Sequence, residues 1–397
     1  LVSLRVCFRE DKFKRELLLM IWTFLIILST LFVAYANGAN DNFKGVATLL
    51  GSGTTDYRKA LWWATITTSA GSITAFFFAT NLVKTFSGKG LVPDTLIGTP
   101  EFLLAVALGA SATVLLAALS GVPISTTHSL TGALIGAGLV AIGRDLGFST
   151  LGNNFFIPLL SSPVIAIILT AIIYIILRST RRMLGVSRKT CVCMGEKVIP
   201  VANVNLVNGQ MLSVAELKSM EIFVDEKSQC QARALDRYEG RVLGIDAQQI
   251  LDTLHFISAG LLSFARGLND TPKIVALAVT TGVLGLKLNI GLVAVVMALG
   301  GILSAKRVAE TMSHRITGIN HGQGFTANLI TAILVIFASK IGVPVSTTHV
   351  SCGALFGIGL VNGKANWKII GGIVSAWVLT LPIAALLSAG FYASMRP

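Results

Sequence analysis

Two segments of the chain place a serine, two threonines and a histidine just after a proline. They are GVPISTTHSLTGALIGAG at residues 121–138 and GVPVSTTHVSCGALFGIG at residues 342–359, and twelve of the eighteen aligned positions are identical. A proline that interrupts the chain places the following hydroxyls on the first turn of a helix. A helix N-terminus presents unpaired N–H groups and the positive end of its dipole, which favours an anion. The candidate anion-binding hydroxyls belong to Ser125, Thr126, Thr127, Ser346, Thr347 and Thr348.

The duplication favours a binding site over simple helix capping. Capping by serine or threonine explains one hydroxyl per helix but not three consecutive hydroxyls in both copies. Two such helix ends that face each other would surround one tetrahedral oxyanion. A nucleophilic pair of Ser125 and His128 lacks an orienting acid. We expect His128 and His349 to hydrogen-bond a neighbouring helix rather than to carry protons.

Glycines continue both segments at the small-xxx-small spacing that lets helices pack closely. They are Gly132, Gly136 and Gly138 in the first segment and Gly353, Gly357 and Gly359 in the second. Because both segments are short, glycine-rich and opened by a proline, the sequence predicts re-entrant hairpins rather than plain membrane spans.

A second matching pair carries an Asn-Asp dipeptide. Asn40 and Asp41 recur as Asn269 and Asp270, at an offset of 270 − 41 = 229. Glycine and asparagine interrupt a helix and free backbone carbonyls, which is tolerated at membrane depth only around a cavity or inside protein. A carboxylate beside amide and carbonyl oxygens suits a small hard cation such as Na⁺. A surface helix cap would explain one copy, but the duplication argues against it.

Further charged side chains accompany these motifs. Lys44 and Lys273 follow the two aspartates at the same spacing. Each ammonium group would balance the carboxylate, contact an anion or extend to the membrane interface, and the sequence leaves the three open. Glu310 lies in an otherwise apolar half, either as a further cation ligand or as the i,i+4 partner of Lys306.

The elements that must position these residues are membrane helices. The chain has 397 residues, of which 53% are hydrophobic and 13% charged, whereas a soluble domain carries about 25% charged residues. Its mean hydropathy is +0.75. Apolar runs long enough for a span of about 20 residues recur. They cover residues 17–36, 60–79, 102–119, 155–177 and 369–391.

The chain divides into an N-terminal tail at 1–16, apolar repeats at 17–177 and 246–397, and a polar segment at 178–245. Basic residues crowd the start of the polar segment, which predicts a cytoplasmic loop and accounts for the net charge of +13 without nucleic-acid binding. Basic residues near the N-terminus favour a cytoplasmic N-terminus, whereas inverted repeats joined by a cytoplasmic loop require an external one. Because the central basic cluster is denser, we favour inverted repeats. We therefore predict an all-α polytopic membrane protein with two inverted helical repeats, each with a broken first helix and a re-entrant hairpin.

Gly38-Ala-Asn-Asp41, Gly267-Leu-Asn-Asp270 and the two Pro-x-Ser-Thr-Thr-His segments resemble the inorganic phosphate transporter (PiT) family. The resemblance covers both membrane halves. It implies a helical transporter with inverted repeats and two re-entrant hairpins, which is commonly dimeric and couples phosphate symport to Na⁺ or H⁺. By position, Asp41 and Asp270 match the paired aspartates of the family, and the two Ser-Thr-Thr runs match its hairpin hydroxyls.

The chain departs from the family signature at two places. Lys44 and Lys273 stand where the signature often has asparagine. Thr67 and Thr68 lie near the position where a glutamate is often found. Both departures concern the number and placement of the coupling ions.

The sequence predicts a Na⁺-coupled importer of inorganic phosphate in the inner (plasma) membrane, working by alternating access as a homodimer. Phosphate would lie between the two hairpin N-termini. Two or more Na⁺ ions would bridge it to Asp41 and Asp270, because the carboxylates and the anion repel each other in a dry site. Asn40, Asn269 and Glu310 complete the predicted cation ligands. We expect no resident cofactor and, without a catalytic constellation, no enzyme.

Three alternatives remain at this point. An H⁺-coupled phosphate permease would use the same residues. A sulfate permease would use the same oxyanion site, since both anions are tetrahedral. An anion channel would also contain re-entrant loops, although two interrupted Asn-Asp helices argue against it.

Overall fold

The computed structural model describes residues 2–78, 80–186, 190–201, 215–226, 238–239, 245–316 and 318–396, and ten long helices run through these residues. The chain forms two compact units, one of residues 1–174 with 255–397 and the other of residues 175–254. Both copies of each duplicated motif belong to the first unit, so the two halves fold together. The boundaries of the predicted polar segment stay a prediction.

The five long helices of the first half recur in the same order in the second half. In the first half they are α1 (Val2–Asp41), α2 (Tyr57–Phe78), α3 (Pro100–Ser120), α4 (Thr126–Ile142) and α5 (Ile157–Met183). In the second half they are α6 (Ala247–Val279), α7 (Leu286–Ser304), α8 (His321–Ile341), α9 (Thr347–Asn362) and α10 (Trp367–Met395). Short helices connect them at Ala47–Gly51, Thr80–Phe86, Asp94–Ile97, Phe148–Leu151 and Lys306–Glu310. Single 3₁₀ or π turns lie at Asn42–Gly45, Gly143–Asp145, Gly152–Phe156 and Thr311–Arg315.

Membrane-spanning character is spread over both halves. In the described part of the chain, 7 helical segments are long and apolar enough to cross a bilayer. They are Glu16–Gly45, Pro100–Ser120, Thr126–Asp145, Phe148–Met183, Leu286–Ser304, His321–Ile341 and Trp367–Met395. Of the predicted span at 60–79, residues 60–78 lie in α2, and residue 79 lies outside the described residues. Helix α2 is not among the 7 segments, because its serine and threonine residues lower its hydropathy. The all-α membrane fold is confirmed for this unit.

Two helix pairs correspond to the predicted hairpins. Gly121 ends α3 and Gly342 ends α8, with left-handed φ values of 70° and 77° that glycine adopts without strain. A short link containing the proline leads from each glycine to the next helix. The residues at 126–138 in α4 and at 347–359 in α9 are all buried, which is typical of a helix enclosed by protein on every side.

The glycines that follow the hydroxyls allow these helices to approach a neighbour closely. A Cβ atom added to Gly136 would lie 1.9 Å from the carbonyl oxygen of Ala385 in α10, and one on Gly357 would lie 2.5 Å from that of Ile167 in α5. The predicted close packing is confirmed at both positions. It is also reciprocal, because the second helix of each hairpin packs on the last helix of the opposite half.

The helices that carry the Asn-Asp motifs also pack on helices of the opposite half. A Cβ atom on Gly38 in α1 would lie 2.0 Å from the carbonyl oxygen of Met297 in α7, and one on Gly267 in α6 would lie 2.1 Å from that of Thr68 in α2. The largest buried apolar cluster joins residues of both halves. These close approaches therefore recur with the two halves interchanged.

The second unit contains the strands that the structure describes. They are β1 (Thr190–Val201), β2 (Ala215–Glu226), β3 (Tyr238–Glu239) and β4 (Ile245–Asp246). Strand β1 pairs antiparallel with β2, from Thr190 opposite Glu226 to Val201 opposite Ala215, and also with β3 and β4. Strands β1 to β3 lie within the polar segment at 178–245, for which the sequence predicted a loop.

Candidate ion-binding site

The Asn-Asp motif ends a helix in the first half but not in the second. Helix α1 stops at Asp41 and continues as a 3₁₀ turn over Asn42–Gly45. Helix α6 runs through Asp270 with Pro272 inside it. The predicted break in the first helix of the second half is therefore wrong. Its sequence has Ile274 where the first half has Gly45, so the helix-breaking glycine is missing.

The two aspartates nevertheless meet at one place in the interior. Asp41 and Asp270 are buried, at 1% and 2% exposure. The amide nitrogen of Asn37 lies 3.1 Å from Oδ2 of Asp41 and 3.3 Å from Oδ2 of Asp270, so that one side chain bridges the carboxylates of both halves. Asn40 and Asn269 are also buried beside them. All four predicted cation ligands from the two motifs thus lie in one cluster.

The N-termini of α4 and α9 face each other across the same cluster. Thr127 donates to the carbonyl oxygen of Val345 over 3.3 Å, and Thr348 donates to that of Ile124 over 2.9 Å. The rings of the next residues, His128 and His349, have centroids 4.2 Å apart. Each hairpin therefore contributes a hydroxyl to the link of the other.

The six predicted hydroxyls divide into different roles. Ser125 and Ser346 cap their own helices by accepting from the backbone N–H three residues later, over 3.1 and 3.2 Å. Thr126 donates to Oδ2 of Asp41 over 3.2 Å, which connects the first hairpin to the carboxylate. Thr347 is buried. Thr127 and Thr348 each donate to a backbone carbonyl oxygen of the opposite hairpin.

Lys44 is enclosed by oxygen atoms. Its ammonium group donates to the carboxylate of Asp41, to Oδ1 of Asn40 over 2.7 Å, to the carbonyl oxygen of Ile124 over 2.7 Å and to the hydroxyl of Thr348 over 2.6 Å. With 4% of the residue exposed, it does not extend to a membrane interface. It balances the carboxylate and joins the two halves.

Lys273 makes the equivalent contacts in the second half. Its ammonium group donates to the hydroxyl of Thr127 over 2.8 Å and to the carbonyl oxygen of Val345 over 2.7 Å, and it lies 3.4 Å from Oδ1 of Asp270. The residue is 1% exposed. Both lysines therefore combine a carboxylate of their own motif, a carbonyl and a threonine hydroxyl.

Arg266 is a site residue that sequence reasoning missed. Its guanidinium group donates to the side-chain oxygens of Asn42 over 3.1 Å and Asn37 over 3.0 Å, and its Nε lies 3.8 Å from Oδ2 of Asp270. It is 1% exposed. The available signal was an arginine inside an apolar run, since ionisable residues in such runs are functional candidates by default. At the motif offset its counterpart is Asn37, and the difference in residue type hid it from the repeat comparison.

Glu310 does not share this environment. It is exposed at the end of Lys306–Glu310, and over the residues that the structure describes no hydrogen bond or ion pair joins it to the buried cluster or to Lys306. Its role as a cation ligand stays a prediction. Thr67 and Thr68 donate to the carbonyl oxygens of Trp63 over 2.6 Å and Ser263 over 3.2 Å, so uncharged hydroxyls stand near the position where the family often has glutamate.

Known proteins share this sequence pattern and fold. A profile of the phosphate transporter family matches residues 37–388. The chain is 28% identical over 402 residues to a Pyrococcus abyssi protein named a phosphate permease, covering 93% of this chain and 96% of that protein. It is 27% identical over 382 residues to a Rhizobium meliloti protein named a low-affinity inorganic phosphate transporter, covering 92% and 94%.

The fold also matches that of a solved structure named the sodium-dependent phosphate transporter. The TM-score is 0.72 at 20% identity, over 95% of this chain and 99% of that chain. This likeness supports the helical membrane architecture. Because the family profile matches most of its length, this multi-pass membrane protein belongs to the phosphate transporter family.

Proposed function

We propose that the protein is a secondary active transporter that carries inorganic phosphate across the plasma membrane by alternating access, driven by Na⁺. The observation that carries this proposal is the meeting of two hairpin N-termini from opposite halves, with Thr127 and Thr348 at their junction. Membership of the phosphate transporter family supports phosphate as the substrate. The fold shared with a protein named as sodium-dependent supports Na⁺ as the driving ion.

The proposed phosphate position lies between the first turns of α4 and α9. Backbone N–H groups and the positive ends of two helix dipoles favour an anion there. The hydroxyls at 125–127 and 346–348 are the proposed donors to the anion. The two serines chiefly cap the N-termini of their own helices. Lys44 and Lys273 already contact the threonine hydroxyls at 348 and 127, so each ammonium group lies within reach of the same anion.

The proposed Na⁺ ligands are the carboxylates of Asp41 and Asp270 with the amide oxygens of Asn40 and Asn269. Carboxylate and amide oxygens are hard ligands that suit small cations. Asn37 links both carboxylates, so one bound cation would be sensed by both halves. That linkage supports coupling between cation binding and the relative movement of the halves.

We also propose that the two hairpins are re-entrant. We further propose that the protein is a homodimer.

Competition binding tests the substrate. Purified protein in detergent is incubated with ³²P-labelled phosphate and increasing unlabelled phosphate or sulfate. We expect unlabelled phosphate to displace the label at concentrations at which sulfate does not. Equal displacement by sulfate would instead support a general oxyanion permease, and no displaceable label would overturn the phosphate assignment.

A further inference from the structure

We infer that Lys44 and Lys273 act as tethered cations that replace two of the Na⁺ ions in the transport cycle, leaving one Na⁺ carried with each phosphate dianion. This inference rests on the proposed function. It departs from the requirement for at least two Na⁺ ions that the sequence suggested, because it assigns the neutralisation of both carboxylates to the protein itself.

The two lysines occupy equivalent places. The carbonyls that they contact belong to Ile124 and Val345, which are aligned positions of the duplicated hairpin segment. The hydroxyls that they contact belong to Thr348 and Thr127, which are also aligned. A position repeated with this accuracy in both halves is a built feature of the site rather than a chance ion pair.

The surroundings of each ammonium group are those of a hard cation. Lys44 is surrounded by four oxygens, from a carboxylate, an amide, a carbonyl and a hydroxyl. Oxygen ligands of these types bind alkali and alkaline-earth ions in proteins. An ammonium group offers only donors, so it occupies oxygens that an additional Na⁺ ion would need. Both lysines contact Oδ1 of their aspartate, which leaves the Oδ2 atoms of Asp41 and Asp270 beside Asn37 for the one remaining Na⁺. A second cation on the same oxygens would be repelled at contact distance.

The charge balance gives the number of ions. Among the described residues, the buried acidic and basic side chains other than histidine are Asp41, Lys44, Arg266, Asp270 and Lys273. In their ordinary charge states they sum to 3 − 2 = +1. A phosphate dianion brings the sum to −1, and one Na⁺ restores neutrality. Buried net charge is costly, so the neutral combination is favoured.

Removing the lysines changes this balance in a defined way. With asparagine at both positions, as the family signature often has, the same side chains sum to 1 − 2 = −1. A phosphate dianion then requires three Na⁺ ions. Each lysine therefore replaces one Na⁺, and the double variant K44N/K273N should regain two.

The test is the ratio of ²²Na⁺ to ³²P-phosphate taken up by proteoliposomes at a pH where the dianion predominates. We expect a ratio of about one for the wild type, two for K44N or K273N and three for K44N/K273N. K59N, which changes an exposed lysine with 76% of its side chain accessible, serves as the matched control and should keep the wild-type ratio. Gel filtration and thermal unfolding establish that each variant is folded.

A wild-type ratio of two or more would overturn the inference while leaving Na⁺-driven phosphate transport intact. An unchanged ratio in the folded, active double variant would overturn it as well. If the double variant does not fold, the wild-type ratio and the two single variants decide. Loss of wild-type phosphate uptake under every gradient would instead overturn the proposed function on which the inference rests.

Discussion

The ammonium nitrogen of Lys44 lies 2.6 Å from the hydroxyl oxygen of Thr348, so a side chain of the first half donates a hydrogen bond to the hairpin of the second half. Lys273 makes the reverse contact with Thr127 over 2.8 Å. The N-terminus of each hairpin helix therefore carries a cation supplied by the opposite half. Any movement that separates the halves at this place must break both lysine–threonine contacts. A bound anion that accepts hydrogen bonds from the same lysines and threonines would compensate for their loss.

Substitution of either paired aspartate should strongly lower driven uptake. We expect Asp41→Asn and Asp270→Asn each to lower Na⁺-driven phosphate uptake by about tenfold or more, because each variant removes a proposed Na⁺ ligand and leaves a buried cation without its carboxylate. Asp56→Asn is the matched control, since the Asp56 side chain is 55% accessible. Initial rates in proteoliposomes measure the effect. Full uptake by both variants would show that the aspartates are not part of the transport site.

The hairpin threonines should affect phosphate affinity more than folding. For Thr127→Val and Thr348→Val we expect the phosphate concentration at half-maximal uptake to rise about tenfold, or ~1.4 kcal/mol, because a hydrogen bond to an anion is lost. Thr127→Ser and Thr348→Ser keep the hydroxyl and should stay near the wild type.

Thr74→Val provides the control for the threonine variants. The Thr74 hydroxyl is exposed and donates to the carbonyl of Ala70 in its own helix over 2.8 Å. Its replacement should leave phosphate affinity unchanged. A similar loss of affinity in all three valine variants would indicate a general effect of removing hydroxyls from helices.

Arg266 should contribute to stability as well as to the charge of the site. Arg266→Gln leaves Asp270 without one of its two cations, and we expect the free energy of unfolding to fall by ~3 kcal/mol. Arg266→Lys should recover only part of this loss, because a lysine cannot reach Asn37 and Asn42 with a planar fork of donors. Thermal unfolding in detergent measures both, with the exposed Arg58→Gln as control. Unchanged unfolding of R266Q would contradict this role.

The reciprocal helix packing predicts an unequal response to two glycine substitutions. Gly136→Ala forces a Cβ atom against the backbone of Ala385 and should destabilise the protein by ~1–3 kcal/mol. Gly390→Ala in α10 meets no heavy atom within 4 Å and should be neutral or stabilising by up to ~1 kcal/mol. Equal unfolding temperatures for the two variants would contradict the observed close approach.

Much of this site is readable from the sequence because its parts are duplicated. Identical residues in the same order identified Asp41 with Asp270, at an offset of 270 − 41 = 229, and the two hydroxyl runs, at an offset of 346 − 125 = 221, and the structure brings them together. Arg266 escaped notice because its counterpart is Asn37, and a repeat comparison finds identity rather than complementarity. The contacts of the lysines depend on how the halves interlock, which no local pattern encodes.

The conformation of α6 shows a second limit of motif reasoning. The Asn-Asp dipeptide is the same in both halves, yet only the first half turns into a 3₁₀ helix after it. The difference lies in neighbours that the motif does not include, Gly45 in the first half and Ile274 in the second. Proline at 272 removes one backbone donor, and the surrounding helix tolerates that loss.

Na⁺-driven phosphate uptake is the central claim, and one transport measurement tests it most directly. Purified protein is reconstituted into liposomes, and ³²P-phosphate uptake is followed at fixed pH with an inward Na⁺ gradient or with choline in its place. We predict that phosphate accumulates above its external concentration only with the Na⁺ gradient. Equal accumulation in choline, or accumulation that follows a pH gradient instead, would contradict the account.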